Sequence, residues 1–189
     1  MNDRERLTRG IKGLEFRDLT DSQFVGKIGG YAVVFNEPSE NLDGFIEYVN
    51  PDAFDSVDMS DVVALYDHKF ANVLGRTSAG TLQLGIDKKG LKFSLDIPNT
   101  TLGNDVYTNI RVGNLRGMSF GFKVVDDEWT KDANGTPQRT ITKFAELYEV
   151  SVVTMPAYQD TAVNVTRALE NLKQSEVKAK ALAVLTTYE

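Results

Sequence analysis

The sequence contains no cysteine and only one histidine, and both shortages narrow the chemistry open to it. Without cysteine there is no thiol nucleophile, no disulfide framework and no thiolate metal site. Histidine is the side chain whose unperturbed pKa suits acid–base chemistry near neutral pH. We therefore expect any acid–base chemistry near neutral pH to use His68. Any nucleophile would be a side-chain oxygen or a lysine.

Several other features are missing as well. No apolar stretch approaches the roughly 20 residues needed to span a bilayer, and the polar N-terminus lacks the apolar core of a signal peptide. The formal net charge of −6 disfavours nucleic acid and anionic membrane as partners. Gly26, Gly29 and Gly30 form neither a GxGxxG motif nor a lysine-bearing phosphate loop. We expect a cytoplasmic protein that binds no nucleic acid, membrane or cofactor.

The length of 189 residues suits one domain with a tail. Residues 1–23 are polar and charged and predict an N-terminal arm that joins a sheet edge. Residues 24–160 carry the strand patterns and form the predicted body. Residues 161–189 contain no glycine or proline and are rich in alanine, lysine and leucine, which predicts a helical C-terminal tail.

The body is predicted to be mainly β with flanking helices, in the α+β class. Runs of β-branched residues and alternation of apolar and polar residues predict strands. Helix-capping residues, or apolar residues at every fourth position, predict helices. The predicted elements are strands at 28–35 and 45–49, a short helix after Asn50-Pro51, a hairpin at 81–97, a helix at 102–110, a long hairpin at 120–144 turning at Asn134-Gly135, and a strand at 147–154.

Two segments of the sequence contain candidate active-site residues. The apolar run from Val62 to Tyr66 predicts a buried strand that delivers His68 to the rim of the domain. Ser119 is flanked by Gly117 and Gly121, and glycines there let another chain approach the serine closely.

A hydroxyl is a weak nucleophile at neutral pH and needs a base, and that base needs a third group to hold its tautomer. No second histidine exists to fill the third position. Glu149 is the best candidate, because a glutamate inside an apolar strand is costly to bury unless it is hydrogen-bonded. Glu146 and Asp67 are the reserves.

Each residue also has a purely structural interpretation. A histidine at a strand end is often a surface residue, a serine between glycines marks a tight strand entry, and a strand glutamate often faces solvent. The acidic residues that could bind a hard cation lack the spacing of a calcium-binding loop, and such clusters usually form solvent-exposed faces. These residues are Asp58, Asp61, Asp67 and Asp126–Glu128. We expect no metal site.

The order of the segments resembles that of the prohead maturation proteases of tailed bacteriophages, the phage relatives of herpesvirus assemblin. The resemblance covers about residues 25–165, and no single motif in it is specific. The matching segments are Gly30-Tyr31-Ala32-Val33-Val34-Phe35, Tyr66-Asp67-His68, Val73-Leu74-Gly75-Arg76-Thr77, Gly80-Thr81-Leu82, Asp87 to Leu91, Gly117-Met118-Ser119-Phe120-Gly121-Phe122 and Glu149 to Ala157.

This resemblance implies a small closed β-barrel with peripheral helices and a serine endopeptidase activity. His68 would be the general base and Ser119 the nucleophile. The assemblins use a second histidine as the third residue, and this chain departs from that pattern, which leaves the position to Glu149. The arginine pair of the herpesvirus enzymes has no match, so Arg76, Arg116 or backbone N–H groups beside Gly117 stay open as oxyanion donors.

The resemblance also implies a substrate, the scaffolding segment of the major capsid protein. Cleavage would occur inside the assembling prohead in the host cytoplasm, followed by self-cleavage, and a homo-oligomer is left open. The C-terminal tail either docks to scaffold and is later removed or packs on the barrel. The competing class is a non-enzymatic β-barrel capsid or scaffold component in which His68, Ser119 and Glu149 are structural.

Overall fold

A computed structural model describes residues 14–17, 23–42 and 44–154, all within one compact unit, Met1–Ala157. These residues form nine strands, one α-helix and one short 3₁₀ helix. In chain order the elements are β1 Leu14–Arg17, β2 Phe24–Val34, β3 Ile46–Val49, the 3₁₀ helix Pro51–Phe54, β4 Val63–Tyr66, β5 Val73–Arg76, β6 Leu82–Ile86, β7 Gly90–Pro98, α1 Thr101–Arg111, β8 Gly117–Lys131 and β9 Pro137–Val153.

The first sheet has the strand order β1-β2-β7-β6, and all its pairs are antiparallel. Its long strand β2 carries two register shifts, between Phe24 and Gly26 and between Tyr31 and Val33. Such irregularities raise the local twist and bend a strand. The predicted joining of the N-terminal arm to a sheet edge is confirmed, because β1 lies at the edge of this sheet.

The second sheet is built on β9, which pairs along its whole length with β8 in antiparallel fashion. The other side of β9 is shared by two parallel neighbours: β3 pairs with residues 138–141 and β4 with residues 149–152. Strand β5 completes the sheet beside β4. This arrangement brings the end of β4, where His68 follows, beside the last third of β9.

One hydrophobic core joins the two sheets and α1. Phe93 of the first sheet, Phe144 of the second and Ile110 of α1 all lie in it and are at most 1% exposed. Helix α1 is amphipathic, and its N-cap is Thr100, whose hydroxyl accepts a hydrogen bond from the Gly103 N–H. Burial of such side chains stabilises the fold by about 1.5–3 kcal/mol each.

The mainly β, α+β prediction is confirmed, and so are the short helix after Asn50, the 81–97 hairpin and the helix at 102–110. The long hairpin and the strand at 147–154 were predicted as separate elements, which is wrong: β9 runs unbroken from Pro137 to Val153. Strand pairing in the described residues gives two sheets, and a closed barrel is not confirmed.

The predicted boundaries of the arm, body and tail stay predictions, and the tail at 161–189 lies outside the described residues. In the part of the chain that the structure describes, no helix has the length and apolar character needed to cross a membrane.

A buried ionic network lies at the end of the second sheet where β3 pairs with β9. Glu47 on β3 accepts a hydrogen bond of 3.0 Å from Arg139 on β9, and both side chains are about 3–4% exposed. The same guanidinium donates to Asp127 on β8 and lies 5.9 Å from the centre of the Trp129 ring. Burial raises the pKa of Glu47 from 4.5 to about 7, although the Arg139 charge acts in the opposite direction.

This raised pKa makes stability depend on pH. A carboxyl whose folded-state pKa lies above its unfolded value stabilises the fold fully below the unfolded pKa and loses that contribution as the pH rises through the folded pKa. Glu47→Gln removes the titration. As the pH rises from about 4.5 to about 8, Glu47→Gln should therefore become more stable relative to wild type, by on the order of 2–3 kcal/mol of unfolding free energy.

Denaturant unfolding of the two proteins across this pH range measures the difference, and any contribution from His68 cancels because both proteins carry it. Glu128→Gln, on the exposed part of β8, is the matched control and should run parallel to wild type. Parallel curves for Glu47→Gln as well would contradict a protonated Glu47 in the folded state.

Candidate active site

His68 lies in a tight turn directly after β4. Asp67 and His68 have positive φ angles of 58° and 55°, and the Lys69 N–H donates to the Tyr66 carbonyl at 3.3 Å. Positive φ at both central residues with this hydrogen bond is the pattern of a type I′ turn, which non-glycine residues adopt at a cost in strain. The turn reverses the chain and directs the imidazole towards β9. The predicted position of His68 at the end of a buried strand is confirmed.

Ser119 and Glu149 lie on adjacent strands and on the same face of the sheet. Ser119 of β8 is directly opposite Ser151 of β9, and Gly121 is opposite Glu149. Side chains of directly paired residues share a face, about 4.5–5.5 Å apart at Cβ. On the other face, Phe120 and Phe122 stack at 4.7 Å and pack against Phe144, which fixes β8 to the core.

His68 and Glu149 are hydrogen-bonded to each other. The distance from His68 Nδ1 to Glu149 Oε1 is 2.8 Å, and the two side chains are only 11% and 4% exposed. Because a carboxylate can only accept, Nδ1 carries the hydrogen, and the basic nitrogen of the neutral ring is then Nε2. This is the tautomer that a general base needs when its Nε2 faces a nucleophile.

The two reserve carboxylates have other partners. Asp67, adjacent to His68, accepts a hydrogen bond of 2.7 Å from Lys69 Nζ on the exposed side of the turn. Glu146 is exposed and accepts a hydrogen bond from the Tyr148 hydroxyl, which raises the pKa of Tyr148. Of the three candidate carboxylates, Glu149 is the one that contacts the imidazole.

Gly121 makes room for the Glu149 carboxylate. A Cβ atom at position 121 would lie 2.6 Å from Glu149 Oε1 and about 3.1–3.2 Å from Cγ and Cδ of the same residue. Real Cβ contacts are not this short, so any side chain at position 121 would displace the carboxylate. The glycine was predicted to let another chain approach Ser119, and here the approaching group is a carboxylate of the protein itself.

The Ser119 side chain is 3% exposed, and its hydroxyl has no hydrogen-bond partner among the described residues. A buried hydroxyl without a partner is uncommon, because it loses its bonds to water without replacement. The Ser119–His68 hydrogen bond of a resting triad is therefore not formed in this structure. In unliganded enzymes such bonds are often long and tighten only when substrate binds.

Ser151 is a member of this site that the sequence analysis missed. It is 0% exposed, its hydroxyl donates a hydrogen bond to Glu149 Oε2, and it accepts one of 3.2 Å from the backbone N–H of His68. The available signal was the spacing Glu149-Val150-Ser151, because residues two apart in a strand share a face. A polar residue two positions after a buried glutamate is its natural hydrogen-bond partner.

The candidate oxyanion arginines both have other contacts. Arg76 donates to the Asp61 carboxylate through Nε and Nη2 at 2.5 and 2.6 Å, on the exposed surface. Arg116 donates through Nε to the carbonyl oxygen of Gly113. Within residues 14–17, 23–42 and 44–154, no three histidine, aspartate or glutamate side chains converge in a group that could hold a metal ion.

Comparison with known proteins gives a consistent result. A family model described as caudovirus prohead serine protease matches residues 12–175. The chain is 27% identical over 126 residues to the prohead protease of Escherichia phage T5, an alignment that covers 67% of this chain and 56% of that protein. It is 28% identical over 173 residues to the prohead protease of Enterobacteria phage HK97, covering 86% of this chain and 72% of that one.

The chain therefore spans a little over half the length of the T5 relative. No solved structure matches it.

Proposed function

This chain belongs to the caudovirus prohead serine protease family, and on that premise we propose that it is a serine endopeptidase with Ser119 as nucleophile, His68 as general base and Glu149 as the residue that orients His68. The observation that carries the proposal is the 2.8 Å hydrogen bond between His68 Nδ1 and Glu149 Oε1. On the adjacent strand lies the buried hydroxyl of Ser119, which has no hydrogen-bond partner among the described residues. A structural role for these residues would not call for a hydroxyl left without a partner.

The proposed reaction begins when the Ser119 oxygen attacks the carbonyl carbon of the scissile peptide bond and His68 Nε2 takes the hydroxyl proton. The Glu149 carboxylate balances the imidazolium that forms. His68 then gives the proton to the leaving amine, and the peptide bond breaks to leave an ester on Ser119. Water then attacks the ester carbonyl carbon while His68 takes its proton. The bond to the Ser119 oxygen breaks, and His68 returns the proton to that oxygen, which restores the serine.

The negative oxygen of the tetrahedral intermediates needs hydrogen-bond donors. With Arg76 bound to Asp61, backbone N–H groups beside Gly117 are the donors that we propose. Such groups are fixed by the strand and need no side chain to reorganise during the reaction.

We further propose that the substrate is the scaffolding segment of the major capsid protein, together with the protease chain itself. The reaction would take place inside the assembling prohead, in the host cytoplasm. The family's name is the basis for the prohead as the place of action. Incubation of the purified chain with the precursor of its phage's major capsid protein tests this, with the products identified by mass spectrometry. An intact precursor and an intact protease chain would instead favour a non-enzymatic capsid or scaffold component.

The pH dependence of cleavage tests His68 as the base. Because one imidazole must be deprotonated to accept the serine proton, kcat/KM should rise with pH along a single limb in the range where imidazoles ordinarily titrate, around pH 6.5. His68→Ala should abolish this limb.

Glu47 titrates in the same range but lies in the separate Arg139 network. Glu47→Gln is therefore the control and should retain the limb unchanged. A rate that is flat between about pH 5 and pH 8 in wild type, or a limb that disappears in Glu47→Gln, would contradict the assignment of His68.

A further inference from the structure

We propose that Ser151 is a positioning residue for the catalytic pair, because its hydroxyl ties the Glu149 carboxylate to the main chain of the His68 turn. The inference rests on the proposed function. Ser151 follows Glu149 by two residues in β9 and has no exposed surface. Its proposed role is to hold two other residues, Glu149 and His68, in place.

The hydroxyl of Ser151 makes two hydrogen bonds of opposite sense. It donates its single hydrogen to Glu149 Oε2 and accepts the backbone N–H of His68 at 3.2 Å. A serine hydroxyl has one hydrogen and two lone pairs, so both bonds form together without competition. Alanine at this position would remove both bonds, whereas threonine would keep them.

The first of these bonds fixes the orientation of the carboxylate. Oε1 of Glu149 accepts from His68 Nδ1, while Oε2 accepts from Ser151. With both oxygens engaged, the carboxylate cannot rotate without breaking a buried hydrogen bond, which is unfavourable because the freed groups cannot bond to water instead. The contact that keeps the hydrogen on Nδ1 is therefore held in one geometry.

The second bond supports the backbone of the turn. Two successive residues there, Asp67 and His68, have positive φ. Strained conformations of this kind persist only where the surroundings hold them. Two successive N–H groups of the turn are bound to β9: that of Asp67 by the Val152 carbonyl at 3.0 Å, and that of His68 by the Ser151 hydroxyl.

Ser151 also lies directly opposite Ser119, so it has to be distinguished from a nucleophile. Its hydrogen is committed to a carboxylate rather than to the imidazole. Ser119 has no such bond among the described residues. The two serines therefore have different roles, one reacting and one positioning.

The single histidine allows a clean test. In protein labelled with ¹⁵N-histidine, the imidazole signals come from His68 alone and report which ring nitrogen carries the hydrogen. The variants are Ser151→Ala and the pair Ser151→Thr and Ser151→Val, which match in shape and differ in the hydroxyl. Ser94→Ala, a serine of β7 in the other sheet, is the control.

Above the titration of the imidazole, wild type, Ser151→Thr and Ser94→Ala should show the Nδ1–H tautomer alone. Ser151→Ala and Ser151→Val should show a mixture with the Nε2–H form. In the cleavage assay the same two variants should lose about 100-fold in kcat, with KM nearly unchanged, as expected for a misplaced catalytic group.

If Ser151→Ala and Ser151→Val keep the Nδ1–H tautomer, or if Ser151→Thr loses it as they do, the proposal is overturned whatever the rates. If either Ser151→Ala or Ser151→Val fails to fold, the other is compared with Ser151→Thr. The tautomer measurement needs no cleavage, so its failure is distinct from failure of the proposed function, which would appear as cleavage by Ser119→Ala.

Discussion

Replacing Ser119 with alanine is expected to lower the rate of peptide cleavage by several orders of magnitude while leaving the fold intact. The serine oxygen forms the covalent bond in the proposed reaction, and the hydroxyl of the opposite serine, Ser151, donates its hydrogen to Glu149 instead. Stability should change little, because this hydroxyl has no hydrogen-bond partner among the described residues and its removal leaves no group unsatisfied. Cleavage of the capsid precursor and thermal melting measure the two effects.

Ser94→Ala, the same substitution in β7, is the matched control and should cleave at the wild-type rate. Full activity in Ser119→Ala would show that Ser119 is not the nucleophile. Loss of activity accompanied by a large drop in melting temperature would show that Ser119 supports the fold, which the absence of a hydroxyl partner in the described part of the chain argues against.

Glu149→Gln is expected to lower the rate by about two to four orders of magnitude. Glutamine keeps the shape of the side chain but removes the charge that balances the imidazolium. Its amide also presents a hydrogen-bond donor where His68 Nδ1–H needs an acceptor, so the wrong tautomer of the ring becomes accessible. The rate should fall far more than the stability, since the volume at this buried position is conserved.

Glu146→Gln provides the comparison within the same strand. Glu146 is exposed and its contact is with the Tyr148 hydroxyl, so its variant should keep nearly the wild-type rate. The two variants belong in one cleavage assay with thermal melts. If Glu146→Gln is the inactive one, or if both keep full rate, Glu149 is not the third residue, even if Ser119 and His68 retain their roles.

The sequence predicted the pairing of His68 with Glu149 for a sound physical reason. A glutamate among valines in a strand needs a partner, and the chain offers one histidine. The hairpins and helix were predictable because their apolar spacing and turn residues act locally. These signals depend on neighbours in the chain and need no knowledge of distant contacts.

The remaining features depend on distant contacts and could not be predicted. The unbroken β9 contains register shifts opposite β8 between Gly121 and Asp127, which interrupt the strict alternation that marks a strand. The parallel pairing of β3 and β4 with β9 joins segments about 90 residues apart. The alternating pattern of the 81–97 hairpin indicates an inward side chain for Ile86, yet Ile86 is 46% exposed, and all of residues 85–89 at this end of the hairpin are exposed.

The most direct measurement of the central claim is the site of covalent labelling by a serine-directed fluorophosphonate, located by mass spectrometry of peptides from the labelled chain. The reagent reacts with a serine oxygen that is activated by a neighbouring base. We expect label on Ser119 in wild type, no label at position 119 in Ser119→Ala, and greatly slowed labelling in His68→Ala. Label on Ser151 or on another residue, or unchanged labelling in His68→Ala, would contradict the central claim.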